Sequence, residues 1–80
     1  MKIEITRHAK ERMRQYDIQE ELVNSTLENP DSILGSYENR KIYQKKLNGY
    51  VIRVVVEEYK GIKVVLTVYK ARSGRYEIQV

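Results

Sequence analysis

Residues 48–72 read Asn48-Gly49-Tyr50-Val51-Ile52-Arg53-Val54-Val55-Val56-Glu57-Glu58-Tyr59-Lys60-Gly61-Ile62-Lys63-Val64-Val65-Leu66-Thr67-Val68-Tyr69-Lys70-Ala71-Arg72. Asn48-Gly49 is the strongest short hairpin signal, because both residues accept the positive φ of a type I′ turn. Lys60-Gly61, and Ser73-Gly74 just beyond, are further tight-turn candidates. The turns divide the second half of the chain into strands at about 40–47, 50–59, 62–71 and 75–80. Strands joined by tight turns are antiparallel neighbours, so this half reads as a four-stranded meander. Alternation assigns its faces. Ile52, Val54 and Val56 point one way, and Val51, Arg53 and Val55 the other. In the next strand Ile62, Val64, Leu66 and Val68 form the apolar set, opposite Lys63, Val65, Thr67 and Tyr69.

Upstream of the meander the period is helical. Ile3-Glu4-Ile5 reads as a short strand. Thr6 is a fitting N-cap, after which Ala9, Met13 and Tyr16 fall on one helical face. A second helix is expected over about 19–27, with Leu22, Val23, Thr26 and Leu27 as its apolar side. Asn29-Pro30-Asp31 ends it, since proline disfavours helical geometry in the residue before it. Ile33-Leu34 adds a short strand or a lead-in. The expected architecture is α+β, a single domain over residues 1–80, with two N-terminal helices packed on a four-stranded antiparallel β-meander. Val54, Val56, Val64, Leu66 and Val68 should lie beneath the helices.

Eighty residues with 41% hydrophobic content can bury a small core, and 32% charged content exceeds the usual quarter. There is no cysteine, so disulfides and thiolate metal sites are excluded. No apolar run approaches a membrane span, and the first residues lack a signal-peptide core. The expected location is the cytoplasm. The net charge of +4 is unevenly spread: residues 1–16 carry +3, residues 17–31 carry −5 and residues 32–80 carry +6. Basic surfaces attract polyanions, of which nucleic acid is the commonest in a cell. The acidic segment should stay away from RNA and face a basic partner.

All seven aromatic residues are tyrosines, at 16, 37, 43, 50, 59, 69 and 76. A tyrosine offers a stacking plane and a hydroxyl together, which stacked bases and contacted phosphates both use. Arg53, Tyr43, Lys63, Lys70 and Arg72 are the candidate RNA-binding residues, with Tyr43 joining the Arg53 face only if the register allows it. His8 is the single histidine, the residue type suited to acid–base work near neutrality. Arg12 follows four residues later on the same helical face. No phosphate-binding glycine loop, nucleophile elbow or metal-ligand cluster is present. Metal-free RNA cleavage remains open, because the ribose 2′-hydroxyl is itself the nucleophile. The protein then supplies a base, an acid and a cation.

The run His8-Ala9-Lys10-Glu11-Arg12-Met13, then Ile18, then Asn29-Pro30-Asp31, then Val64-Val65-Leu66-Thr67-Val68-Tyr69 resembles a bacterial and archaeal family of small domains of unknown function. Its pattern is close to H-A-x-x-R-M-x-x-R-G-I, then N-P, then a strand ending V-T-x-Y. Members are grouped with the RelE/ParE-like toxins of toxin–antitoxin pairs, whose fold is shared with barnase, EndoU and the colicin ribonucleases. The resemblance implies catalytic roles for His8, Arg12, Thr67 and Tyr69. The chain departs from the pattern at Tyr16-Asp17, where Arg-Gly is usual. There a basic contact is lost, and Asp17 brings a negative charge toward the presumed site.

The expected function is therefore a metal-independent endoribonuclease, a RelE-like toxin held by a cognate antitoxin-like protein and needing no cofactor. The alternatives are a non-catalytic RNA-binding or protein-interaction module that kept the fold, or an adaptor whose strand edge pairs with another chain. If His8 and Arg12 do chemistry, they must meet Arg53, Thr67 or Tyr69 around one phosphate. The expected meeting place is a cleft at the sheet edge, bordered by the start of the first helix and the end of strand 62–71.

Overall fold

In the computed structural model, residues 2–35 and 38–72 are described. The chain runs β1 (Lys2–Ile5), α1 (Arg7–Tyr16), α2 (Glu20–Glu28), β2 (Ser32–Gly35), β3 (Arg40–Leu47), β4 (Tyr50–Tyr59) and β5 (Ile62–Arg72). The class is α+β, but the sheet is not a four-stranded antiparallel meander. It has five strands in the order β1-β5-β4-β3-β2, and β1 pairs parallel to β5 while the other neighbours are antiparallel. Everything from α1 through β4 lies between these two strands, more than enough chain for the long connection that a parallel neighbour requires. Alternation tells which way side chains point, not which distant strand lies alongside, so the place of Ile3-Glu4-Ile5 was not readable locally. The expected strand at 75–80 and its Ser73-Gly74 turn lie outside the described residues.

The two glycine turns differ from expectation in an instructive way. At Asn48-Gly49 only Gly49 takes positive φ, at 87°, which excludes the expected type I′ turn. At Lys60-Gly61 both residues do, at 49° and 80°, which is the type I′ pattern.

A β-bulge resets the core. Val55 pairs with Thr67 and Val56 with Val65, which leaves Leu66 as the extra residue of β5. From there back to Ile62 the alternation is inverted. Val65 and Val68 are fully buried under the helices, together with Ile52, Val54 and Val56, whereas Val64 and Leu66 are only half-buried. The expectation that Val64 and Leu66 lie in the core is thereby corrected. Each fully buried valine contributes about 1.5–3 kcal/mol of transfer free energy.

The bulge also anchors α1. The Thr6 amide donates to the Val65 carbonyl at 3.1 Å, and its hydroxyl donates to the Leu66 carbonyl at 3.2 Å. The same hydroxyl accepts from the Ala9 amide at 3.0 Å, capping the helix. Ala9 and Met13 are then buried against the sheet. At the other end Asp17 adopts the left-handed conformation (φ 57°, ψ 48°). Its amide bonds the Arg14 carbonyl, and the Ile18 amide bonds the Met13 carbonyl at 2.8 Å. This is a Schellman motif, with Ile18 buried behind it. The pattern's glycine position is thus a C-terminal cap, and aspartate is among the few side chains that tolerate that geometry. In α2, Glu20 and Glu21 occupy the first turn, where the helix dipole favours them, and Val23, Thr26 and Leu27 are buried.

Candidate nucleic-acid interface

His8 and Arg12 stand on the solvent side of α1, His8 exposed and Arg12 half-buried. Arg12 Nε donates to His8 Nε2 at 3.5 Å, and Arg12 Nη1 donates to Gln15 Oε1 at 2.9 Å. The first is at the outer limit of a hydrogen bond. No carboxylate neutralises this pair among the described ion pairs.

Arg53, Thr67 and Tyr69 share the sheet face turned away from the helices, as alternation and pairing require: Arg53 lies opposite Tyr69, and Val55 opposite Thr67. The Arg53 guanidinium lies 5.7 Å from the Tyr69 ring centre. Arg53 is only 8% exposed, so most of it is withdrawn from solvent. Among the described residues, no hydrogen bond or ion pair connects His8 or Arg12 with Arg53, Thr67 or Tyr69.

Tyr43 and Lys63 are on the helix side of the sheet, not with Arg53, because Tyr43 pairs with Val54 and Lys63 with Glu58. The bulge moved Lys63 there. They form a closed cluster with Glu58. Tyr43 is 4% exposed and donates its hydroxyl to Glu58 Oε2 in a short hydrogen bond. Lys63 Nζ covers the Tyr43 ring at 4.6 Å, and Lys41 Nζ lies 3.1 Å from Glu58 Oε1. Burial, followed by the bond to Glu58 and its charge, pushes the Tyr43 hydroxyl up to about 12. The Tyr43 hydrogen bond, and then Lys41 and Lys63, hold the Glu58 carboxyl below its ordinary value. The Tyr43 ring has no open face to offer a base, so this cluster reads as structural.

Lys70 and Arg72 lie elsewhere. With Tyr16, Gly49, Tyr50 and Ala71 they line a cavity of about 690 Å³. Tyr50 pairs with Arg72 across β4 and β5, and Lys70 is the diagonal neighbour of Tyr50 on the same face. Lys70 Nζ rests 4.9 Å from the Tyr50 ring centre. Neither Lys70 nor Arg72 takes part in a described ion pair. The expected cleft at the start of α1 is corrected in position. α1 runs alongside β5 in the same direction, from Thr6 at Val65–Leu66 to Tyr16 at Lys70–Arg72, so the end of β5 meets the end of the helix. Asp17 lines a separate hollow with Lys10, Arg14 and Glu20.

The sequence reading does not include Tyr16 or Tyr50 among the site residues. Tyr16 was legible as part of the inward face of α1, and Tyr50 as the first residue after a hairpin turn. Their meeting depended on where α1 crosses the sheet. Among the described residues no group of three or more His, Asp or Glu side chains could hold a metal ion, and no helix is long and apolar enough to cross a membrane.

Neither the curated proteins nor the solved structures include a match to this chain. Residues 5–70, which run from the last residue of β1 through most of β5 and so include both ends of α1, match the family described as Domain of unknown function (DUF4258), and the chain belongs to that family.

Proposed function

We propose that this domain is a metal-independent endoribonuclease acting on cellular RNA in the cytoplasm, a RelE-like toxin restrained by an antitoxin-like partner. The observation that carries the reading is the pairing of the exposed His8 with Arg12, whose guanidinium lies 3.5 Å from the imidazole Nε2 and is bonded to Gln15. His8 takes the proton of the ribose 2′-hydroxyl as its oxygen attacks phosphorus. Arg12 stabilises the charge that develops on the phosphorane. The P–O5′ bond then breaks, the 5′-oxygen takes up a proton, and a 2′,3′-cyclic phosphate remains. Thr67 and Tyr69 lie on the sheet face turned away from α1, so they are not assigned to this phosphate, and the 5′-oxygen takes its proton from the imidazolium formed at His8 or from water. The acidic stretch around α2, with Glu20 and Glu21 exposed, is the surface assigned to a basic partner protein.

The test is induction of the protein in bacteria with growth and mRNA integrity followed, beside a His8→Ala control. Growth arrest with fragmented mRNA in the parent alone supports the reading. Equal arrest with His8→Ala overturns it. A second reading, RNA binding without cleavage, is favoured by the cavity's position at the opposite end of α1 from His8. It predicts retained RNA and no cleavage products in either protein.

A further inference from the structure

We infer that the cavity between the end of α1 and the end of the β4–β5 ladder is a nucleotide subsite for single-stranded RNA, separate from the His8–Arg12 pair. The inference rests on the RNA-directed reading above, but not on cleavage. Three observations converge. The first is chemical: the described lining combines two tyrosines with two cations, the pairing that takes a base and its phosphate together. The second is electrostatic. On the sheet's helix side Lys41 and Lys63 are both drawn to Glu58, and on the opposite face Arg40 lies 3.6 Å from Glu57. Lys70 and Arg72 face no carboxylate among the described ion pairs, and Lys70 is held against the Tyr50 ring instead. Their charge is therefore available to an anion. The third is geometric. His8, Arg12 and Tyr16 recur at intervals of four along α1, and Tyr16 lies about 12 Å beyond His8 at the helical rise. One strand of RNA laid along this flank would place one phosphate at His8–Arg12 and a neighbouring nucleotide in the cavity.

In that subsite the Tyr16 ring supplies the stacking plane, and Lys70 and Arg72 hold the phosphate.

Fluorescence anisotropy with a labelled single-stranded oligoribonucleotide tests this on the intact chain. His8→Ala serves as the parent for every variant, so that no substrate is consumed. Tyr16→Ala and Lys70→Ala should each weaken binding about tenfold, the size expected for one stacked base or one well-placed cation. Tyr16→Phe should bind as the parent does. An oligomer of the same length containing abasic sites should lose its sensitivity to Tyr16→Ala while keeping that to Lys70→Ala. A mononucleotide competing at the concentration that half-displaces the oligomer would identify a free nucleotide as the ligand and overturn the RNA assignment. Because Tyr16 also packs beside the core, a thermal melt accompanies its variants, and Lys70→Ala decides the matter if Tyr16→Ala does not fold. Unchanged affinity in Lys70→Ala overturns the subsite. If the parent without the His8 substitution binds through the cavity yet never cleaves RNA, the subsite stands and the nuclease reading falls. If it cleaves while Lys70→Ala binds at full strength, the reverse holds.

Discussion

The two ends of α1 carry different kinds of groups. At its start, Thr6 fastens the helix to the β5 bulge, and an exposed His8 stands beside a half-buried Arg12. At its end, Tyr16 closes over Tyr50, Lys70 and Arg72 in a cavity of about 690 Å³ that contains no histidine among its described lining. Chemistry-bearing groups and ligand-shaped space are thus separated along one helix. A site that looks incomplete at either end becomes coherent when an extended polymer, rather than a small molecule, is taken as the ligand.

The widest separation between the two ends is expected from His8→Ala. Cleavage of RNA by the purified protein should fall by roughly a hundredfold or more, the usual contribution of a general base. Anisotropy with the same RNA should show affinity nearly intact, because the cavity end is untouched. Exposure of His8 also means that the thermal midpoint should hardly move. A parallel loss of binding would show that the two ends are one site.

Thr6→Ala attacks the anchor instead. It removes both the N-cap and the bond to the Leu66 carbonyl, and should lower stability by about 1–2 kcal/mol in urea unfolding. Well below the unfolding transition, cleavage should drop more than binding, since only the His8 turn loses its tether. Equal losses would mean that the helix moves as one rigid piece.

Asp17→Gly sharpens the comparison at the other end. Glycine accepts the left-handed cap without a Cβ penalty, so stability should rise by about 0.5–1 kcal/mol, with RNA affinity unchanged because Asp17 faces a different hollow from Tyr16. A gain in affinity would place Asp17's charge within reach of the ligand.

The smallest effect belongs to the closed cluster of Tyr43, Glu58, Lys41 and Lys63. The folded state holds the Tyr43 proton more tightly than the unfolded chain, with its hydroxyl pushed up to about 12 from an ordinary value near 10. Its contribution is therefore complete below pH 10 and is lost as pH rises from 10 towards 12. Glu58 runs the other way: its lowered value adds stability above its ordinary range, which is lost as pH falls through it. Urea titrations between pH 9 and 12 should show a steeper decline for the parent than for Tyr43→Phe. RNA binding at neutral pH should be the same for both, and a loss in Tyr43→Phe would return this cluster to the interface.

Much of the architecture was legible locally. Thr6 as a cap, Ala9 and Met13 as the inward stripe of α1, the end of α2 at Asn29-Pro30, and the three long strands with their glycine turns all follow from short-range rules. Such features depend on residues within about one turn or one hairpin of each other. The candidate site was legible only in its parts. The i,i+4 spacing announced that His8 and Arg12 would share a face, and alternation put Arg53, Thr67 and Tyr69 on one side of the sheet. The parallel seat of β1 beside β5 is a contact between residues some sixty positions apart, and no local pattern encodes it. The bulge at Leu66 turned Val65 and Lys63 to the helix side, since one extra residue in a strand inverts every side chain that precedes it. What the sequence by itself determined was the set of elements and the chemistry each carries. Only the tertiary structure decided that α1 runs along β5, putting the cavity at Tyr16 rather than at His8, because that depends on which buried faces meet and not on any neighbour along the chain.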